Sequence, residues 1–303
     1  MKFDFMGYRF HFITASVILI VLSIFAYLVK GFNYGIDFKG GNIIHLRFAS
    51  PMDETQIKAV FKKIPGLYFS PDQIIIQAVS GGAQKEFILQ YPAPEMDEKE
   101  NAETHSRILK QLKEAAPYED ESLEVANVGP TLGVEMKRQG VRAAVFSCLG
   151  ILLYLAWRFD LYAGSGAVIA LFHDLIITCG FVLVTGTEFD VSVLAALLTM
   201  LGYSVNDTIV VFDRIRENRR ISREPSFTVL INDSVNATLE RTINTSITTL
   251  FSLVALILVG GSSIQGFAQT LTVGVIVGTY SSTFIASPIL LYMTGDKLDR
   301  KRR

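Results

Sequence analysis

The stretch Met200-Leu-Gly-Tyr-Ser-Val-Asn-Asp-Thr-Ile-Val-Val-Phe-Asp-Arg214 places a carboxylate, Asp207, inside an apolar run that covers residues 191–212. A carboxylate at membrane depth costs about 2.5–3.5 kcal/mol on insertion scales, so such residues face a bundle interior or a water-filled path. There they often serve the movement of protons or ions. The alternative for Asp207 is a structural role, in which its side chain only holds neighbouring helices together.

Apolar runs of this length recur along the 303 residues, of which 19% are charged, against about 25% in soluble domains. They predict a polytopic α-helical membrane protein. The first run is long enough to span and lacks an A-x-A-like cleavage site, so we interpret it as an uncleaved span. The six predicted spans are residues 12–29, 141–157, 162–184, 191–212, 242–259 and 267–293.

The segment between the first and second spans is polar and differs in kind from the rest. Its patterns predict strand, helix, strand, strand, helix and strand, with a hairpin turn at Ser80-Gly-Gly82. This order is typical of the α+β ferredoxin-like fold. The predicted elements are residues 41–48, 53–63, 73–79, 86–91, 97–115 and 122–128.

Charge distribution in the short connections predicts the orientation. Counting Lys and Arg, 14 fall in the N-terminus, the second and fourth connections and the tail, and none falls in residues 185–190 or 260–266. Basic residues mark the cytoplasmic side. We therefore predict that both termini are cytoplasmic and that the ferredoxin-like domain lies outside the cytoplasm. The segments would be residues 1–30 (N-terminus and first span), 31–139 (ferredoxin-like domain), 140–293 (spans two to six) and 294–303 (basic tail).

Polar and small residues inside the spans follow helical spacing. In the fifth span a polar stripe begins at Arg241 and continues through Thr245, Thr248, Thr249 and Ser252. The sixth span repeats small residues every four positions, which allows close helix approach. That seam is predicted at Thr270, Gly274, Gly278 and Ser282.

These positions predict a proton pathway at Asp207 and Arg241, which would face each other from the fourth and fifth spans. The alternative for Arg241 is a snorkelling anchor at the membrane interface. A possible extension of the polar path comprises Asn206, Asp174, His173, Thr245 and Thr248. Asp174 could equally hydrogen-bond a neighbouring helix. Because adjacent residues point about 100° apart on a helix, we expect His173 and Asp174 not to share one face. Asp213 and Arg214 are expected only to end the fourth span.

Other chemistry is not indicated by the sequence. It contains no phosphate loop, no H-E-x-x-H zinc motif and no G-x-S-x-G nucleophile elbow, and its four histidines are scattered. We therefore predict no enzyme activity, no cofactor, no metal and no nucleic-acid partner. The two cysteines, Cys148 and Cys179, lie in apolar runs and are predicted to be packing residues.

Three stretches resemble the SecD/SecF family of bacterial membrane proteins, part of the resistance-nodulation-division superfamily. One is Phe32-Asn-Tyr-Gly-Ile-Asp-Phe-Lys-Gly-Gly41, in which Lys39 replaces the Thr or Ser that relatives often carry. The others are Gly202-Tyr-Ser-Val-Asn-Asp-Thr-Ile-Val-Val-Phe-Asp-Arg-Ile-Arg-Glu-Asn218 and Arg241-Thr-Ile-Asn-Thr-Ser-Ile-Thr-Thr249. Together with the span arrangement, the resemblance covers the whole chain.

The resemblance implies an accessory subunit of the Sec export machinery that uses the proton-motive force in late translocation of the exported polypeptide. The implied partners are SecD, the SecYEG channel and YajC. It also implies that the family's proton-transport residues are Asp207 and Arg241, and His173-Asp174 matches a third-span motif. Six spans, against twelve in fused SecDF, imply a separate SecD.

Two other functions remain open at this stage. The chain could be a scaffold that stabilises SecD and the channel without its own proton transport. It could also be a half-transporter for a small molecule or lipid, although an external domain of about 100 residues is small for a drug porter.

Overall fold

The chain folds into two units, seen in a computed structural model that describes residues 3–64, 67, 69–71, 74–78, 86–92, 98–115, 117–118, 124–128, 130–221, 226–260 and 262–300. The membrane unit comprises Met1–Asn33, Ala143–Ile257 and Gly266–Arg303, and the sheet unit comprises Tyr34–Arg142 and Leu258–Gln265. In chain order the elements are α1 (Arg9–Lys30), α2 (Ile36–Lys39), β1 (Gly41–Arg47), α3 (Glu54–Lys63), β2 (Ile75–Ala78), β3 (Glu86–Tyr91), α4 (Glu98–Ala115), β4 (Glu124–Val128), α5 (Pro130–Arg158), α6 (Leu161–Thr185), α7 (Val191–Ile221), α8 (Phe227–Val259), α9 (Ser262–Ser281), a π-helical turn (Ser282–Ala286) and α10 (Ser287–Arg300).

Among the described residues, six helices are long and apolar enough to cross a membrane, which confirms the predicted number of spans. They are α1, α5, α6, α7, α8 and the helical segment made of α9, the π-turn and the part of α10 that precedes a kink at Gly295. Three of them extend beyond their apolar runs, because α5 begins at Pro130, α7 ends at Ile221 and α8 begins at Phe227. Hydropathy does not mark these polar extensions. The helix α7 thus continues beyond Asp213 and Arg214, and the end of the membrane span at these residues stays a prediction.

The sheet unit has the predicted ferredoxin-like topology. Its described strands pair in the order β2-β3-β1-β4, and all neighbours are antiparallel. Alternate residues of β1 and β3, such as Leu46 and Leu89, are buried in one cluster with Ile57 of α3 and Ile108 of α4. The side chain of Asp53 caps α3, as its acidic start predicts. The predicted hairpin turn at residues 80–82 lies outside the described residues.

A glycine pair links the short helix α2 to β1. Gly40 has a φ of 76°, in the left-handed region that favours glycine. A Cβ on Gly41 would lie 2.8 Å from the carbonyl oxygen of Tyr91 on the paired strand β3 and 2.7 Å from Ile36 Cγ2. The glycine-rich stretch therefore forms a helix-to-strand corner, a role that its sequence did not reveal.

The helices of the membrane unit are buried to very different degrees. In the apolar windows of α6, α7 and the sixth span, 56%, 50% and 67% of residues are buried within the chain. The corresponding shares for α1, α5 and α8 are 11%, 6% and 17%. The third, fourth and sixth spans therefore form the core of this unit, and the other three lie around it.

The predicted seam of small residues on the sixth span packs against α7. A Cβ on Gly274 would lie 2.5 Å from Met200 Cγ, and a Cβ on Gly278 would lie 2.9 Å from Ser204 Cβ. Only glycine leaves room for this approach. The seam is confirmed, and it brings the sixth span against the face of α7 that precedes Asp207 by one turn.

Candidate functional site

The polar residues of α6, α7 and α9 meet inside the membrane unit. We call His173, Asp174, Ser204, Tyr280 and Ser281 the buried polar cluster. Asp174 and Ser281 are 0% exposed and Ser204 is 1% exposed. Because the three helices are packed through small residues, their short polar side chains come within hydrogen-bonding distance.

Asp174 is the centre of this cluster. Its Oδ2 accepts hydrogen bonds from the Ser204 hydroxyl on α7 and, at 2.7 Å, from the Ser281 hydroxyl on α9. Its Oδ1 lies 2.8 Å from Nδ1 of His173. A buried carboxylate is costly unless it is hydrogen-bonded, and here both oxygens have partners.

The expectation that His173 and Asp174 do not share a face is wrong. The two side chains contact each other directly, and His173 is 4% exposed. The Cα–Cβ bonds of adjacent helical residues point about 100° apart, but these directions do not include the length of the side chains. The imidazole ring is long enough to bend around α6 toward the carboxylate, and neighbouring spans cover both residues.

Two residues outside the predicted site, Tyr280 and Ser16, connect the cluster to α1. The Tyr280 hydroxyl lies 3.1 Å from Nε2 of His173 and 3.2 Å from the hydroxyl of Ser16 on α1. Ser16 is 3% exposed. The available signal was that Ser16 is one of two serines in the apolar run 12–29, but its partner is 264 positions away in the sequence.

Asp207 lies on α7, three residues after Ser204, and is 3% exposed. Its Oδ2 is buried and has no hydrogen-bond partner among the described residues. Arg241 is close enough for its charge to act on this carboxylate. Within the described part of the chain, however, no direct ion pair joins the two within 4.0 Å. The predicted pairing therefore stays a prediction.

The polar stripe of α8 faces away from the rest of the membrane unit. Arg241, Thr245 and Thr248 are exposed, and both threonine hydroxyls donate to carbonyl oxygens of their own helix. The buried polar face of α8 carries Thr242 and Ser246 instead. Within this chain, the structure thus does not bring Thr245 and Thr248 to the buried polar cluster.

Asn206 is also exposed, on the other side of α7 from Ser204. It lines a cavity of about 340 Å³ between α5 and α7. The other lining residues are Gly150, Ile151, Tyr154, Gly202, Val205 and Ile209. Asn206 therefore lies on a different face of α7 from Ser204, which is the cluster residue on that helix.

A separate ion pair joins α5 to α7. Arg158 and Asp213 approach to 2.5 Å, and Arg216 donates to the Arg158 carbonyl oxygen at 3.0 Å. Both guanidinium groups lie over the ring of Phe159, 5.3 Å and 5.2 Å from its centroid. Asp213 thus also ties α7 to the end of α5.

Comparison with known proteins places this arrangement in a family. Residues 107–296 match the family model "Protein export membrane protein SecD/SecF, C-terminal". Residues 27–52 match the "SecD/SecF GG Motif", which contains the glycine corner at Gly40 and Gly41.

Full-length relatives agree with this match. The chain is 39% identical to a protein translocase subunit SecF of Rickettsia rickettsii, over 99% of the chain and 94% of that protein. It is 41% identical to a protein translocase subunit SecF of Desulfurispirillum indicum, over 95% of the chain and 90% of that protein.

A solved structure shares the fold. The crystal structure of SecDF, a translocon-associated membrane protein from Thermus thermophilus, superposes with a TM-score of 0.81 and 34% identity. The match covers 97% of this chain and 39% of the SecDF chain. The chain belongs to the SecD/SecF family of protein export membrane proteins.

Proposed function

We propose that the chain acts with SecD in a protein translocase and uses the proton-motive force to support late steps of polypeptide translocation. The observation that carries this proposal is the buried carboxylate of Asp207, whose Oδ2 has no hydrogen-bond partner among the described residues. An unpartnered polar atom in a packed interior is costly. Proton binding at Asp207 removes the charge and so lowers that cost.

The energy available from one proton is sufficient for a conformational bias. One charge that moves through 100 mV gives about 2.3 kcal/mol. Such an energy shifts a two-state equilibrium by about fiftyfold. Arg241, whose charge acts on Asp207 without a direct ion pair, is positioned to respond when the carboxylate changes charge. Protonation of Asp207 then alters the relation between α7 and α8.

The exposed stripe of α8 supports a partner in the membrane. Arg241, Thr245 and Thr248 face out of this chain, as does Asn206. A charged side chain that faces lipid inside a span is costly, and such residues instead face other helices or a water-filled cavity, where they find partners. We assign this face to SecD, and we place SecYEG, YajC and the exported polypeptide among the other partners.

The proposed topology follows the basic residues. Both termini are in the cytoplasm, and residues 31–139 lie in the periplasm, where the ferredoxin-like domain meets the emerging polypeptide. Residues 140–293 form the remaining spans of the inner membrane, and residues 294–303 form a basic cytoplasmic tail.

The second candidate function is a scaffold without proton transport. The buried polar cluster favours it, because Asp174 joins α6, α7 and α9 through hydrogen bonds that need no proton movement. In that case the carboxylate of Asp207 contributes only to helix packing.

The two functions are separated by Asp207→Asn in cells in which it is the sole copy. Asparagine keeps the size of the side chain but binds no proton. We expect the variant to co-purify with SecD, while late translocation falls to the level of cells whose proton gradient has been collapsed. Unchanged export that still depends on the gradient would falsify the motor function.

Asp213→Asn is the matched control, because it makes the same chemical change on the same helix outside the buried core. Its ion pair with Arg158 is partly exposed, with side-chain exposures of 31% and 38% for Arg158 and Asp213. We expect this variant to keep gradient-dependent export. Equal losses in the two variants indicate a general packing defect and favour the scaffold.

A further inference from the structure

A continuous chain of hydrogen bonds crosses four spans of the membrane unit. It begins at the Ser16 hydroxyl on α1, passes through the Tyr280 hydroxyl, and reaches Nε2 of His173. From Nδ1 of His173 it continues to Asp174, which also accepts from serines of α7 and α9. Each heavy-atom position in this chain can donate in one direction or the other, apart from the carboxylate.

The charges around Asp174 are unusual for a residue that is 0% exposed. A buried carboxylate normally pairs with a Lys or Arg side chain. Among the described residues, the groups that hydrogen-bond to the Asp174 side chain are His173, Ser204 and Ser281, none of them Lys or Arg. The imidazole of His173 is therefore the only one of these partners that can carry a positive charge, and it does so only by binding a proton.

From this geometry we infer that His173 and Asp174 form a second proton-binding site of the membrane unit, distinct from Asp207. In the empty state, the Nδ1–H of His173 donates to Asp174, and Nε2 accepts from the Tyr280 hydroxyl, which accepts from Ser16. In the loaded state, Nε2 carries the additional proton and donates to the Tyr280 oxygen. The Tyr280 hydroxyl then donates to the Ser16 oxygen.

Loading of the His173 site requires one proton and no other reactant. Loading adds one proton at Nε2, and the hydroxyls of Tyr280 and Ser16 each keep one hydrogen and only change direction. No covalent bond between heavy atoms changes. The loaded state pairs an imidazolium with a carboxylate, which replaces a lone buried charge by a neutral pair.

Among the described residues, two titratable groups hydrogen-bond to the ring of His173. Asp174 comes from its own helix, and Tyr280 comes from the sixth span. The contributions of α1 and α7 to the cluster are the hydroxyls of Ser16 and Ser204. Because Ser204 precedes Asp207 by three residues, or about 4.5 Å along the helix axis, a charge change at this site is transmitted to the carboxylate of the proposed motor.

Nitrogen NMR of the full chain in lipid nanodiscs tests the site without any assay of export. With ¹⁵N-labelled histidine, the four histidines are assigned by the single variants His11→Gln, His45→Gln and His105→Gln. Spectra are recorded while the pH of the sample is lowered stepwise. We expect Nε2 of His173 to change from acceptor to N–H on loading, while Nδ1 stays protonated in both states. A His173 that keeps one protonation state, neutral or charged, in all the spectra overturns the inference.

The relay is tested by Tyr280→Phe, which removes the hydroxyl partner of Nε2. Hydrogen bonds to charged groups are stronger than those to neutral ones, so we expect the proton affinity of His173 to change by about threefold or more. Tyr154→Phe is the matched control, since this tyrosine is 41% exposed on α5. If Nε2 of His173 becomes protonated at the same pH in both variants, the relay is overturned.

These outcomes are independent of the motor. If His173 does not change its protonation state while the chain still supports gradient-dependent export, only the second site is overturned. A titrating His173 in a chain whose Asp207→Asn variant exports normally leaves the second site in place and removes the motor.

Discussion

The helices α7 and α8 both carry regularly spaced polar residues, but they present them to opposite surroundings. On α7, Ser204 and Asp207 are buried, and Ser204 contacts Asp174 of the third span and Gly278 of the sixth. On α8, Thr245 and Thr248 are exposed, and their hydroxyls are satisfied by the backbone of the same helix. The difference comes from the neighbour, because the glycine seam of the sixth span approaches α7. Polar periodicity thus indicates a polar face, while small residues on the adjacent helix decide whether this chain covers it.

The strongest test compares the two buried carboxylates. Asp174 accepts three hydrogen bonds, whereas Asp207 has an oxygen without a partner among the described residues. We expect Asp174→Asn to lower the free energy of unfolding by about 2–3 kcal/mol, since the amide nitrogen cannot accept from serine. Asp207→Asn should change it by less than about 1 kcal/mol. Thermal unfolding in detergent measures both, and equal losses contradict the difference in their hydrogen bonding.

The seam itself is tested by glycine-to-alanine changes. A Cβ on Gly278 would lie 2.9 Å from Ser204 Cβ, while a Cβ on Gly150 would meet nothing within 4 Å. Gly278→Ala should therefore destabilise the membrane unit by about 1–3 kcal/mol through overpacking. Gly150→Ala should be neutral or stabilise α5 by up to about 1 kcal/mol. The same unfolding assay applies, and a stabilising Gly278→Ala contradicts the close approach.

The two faces of α8 provide a third test. The Ser246 hydroxyl lies 2.7 Å from that of Thr279 and accepts from Tyr203 at 3.2 Å. Ser246→Ala should lower the unfolding free energy of the chain by about 1 kcal/mol. Thr248→Val should leave it unchanged and instead reduce co-purification with SecD. If Thr248→Val destabilises the isolated chain and leaves SecD binding intact, the assignment of the exposed face to SecD is wrong.

The smallest expected effect concerns His105, a partly buried polar residue of the sheet unit. Burial lowers the pKa of His105, whose Nδ1 lies 2.5 Å from the Tyr91 hydroxyl. The folded state therefore binds a proton less readily than the unfolded state, whose histidine pKa is about 6.5. Its contribution to stability is complete above that pH and is lost as the pH falls through it.

Hydrogen exchange of β3 and α4 at about pH 7.5 and pH 5.5 measures this loss. We expect His105→Gln to reduce the difference in protection between the two pH values, and His45→Gln to keep it. An undiminished difference in His105→Gln assigns the pH dependence to other groups.

Features set by local spacing were predictable from the sequence. The seam at Gly274 and Gly278 was predicted from four-residue repeats and is confirmed by the contacts with Met200 and Ser204. The ferredoxin-like order was likewise predicted from alternating strands and helical runs. The start of α8 was not, because residues 227–241 mix apolar with polar and charged residues, and hydropathy detects only the part of a helix that matches lipid.

Features set by distant partners were not predictable from one sequence. Tyr280 contacts His173, 107 positions away, and no local pattern indicates this. The contact of His173 with Asp174 was not expected, because the directions of the Cα–Cβ bonds alone place adjacent residues on different faces. The candidate site was therefore predicted in its carboxylates, while the hydroxyls that hold Asp174 required the tertiary structure.

The π-turn in the sixth span has a consequence for the phase of its buried face. Buried positions recur every four residues from one end of this span to the other, at Thr270, Gly274, Gly278, Ser282, Ala286, Leu290 and Thr294. In an α-helix, a spacing of four overshoots one turn by about 40°, so the face would drift around the rod. A π-turn holds more than four residues, so the same spacing falls short there and the drift is partly reversed. Deletion of one residue from Ser282–Ala286 would therefore restore an ordinary α-helical turn and keep Leu290 and Thr294 near the core. The same deletion within α9 would rotate them by about 100°.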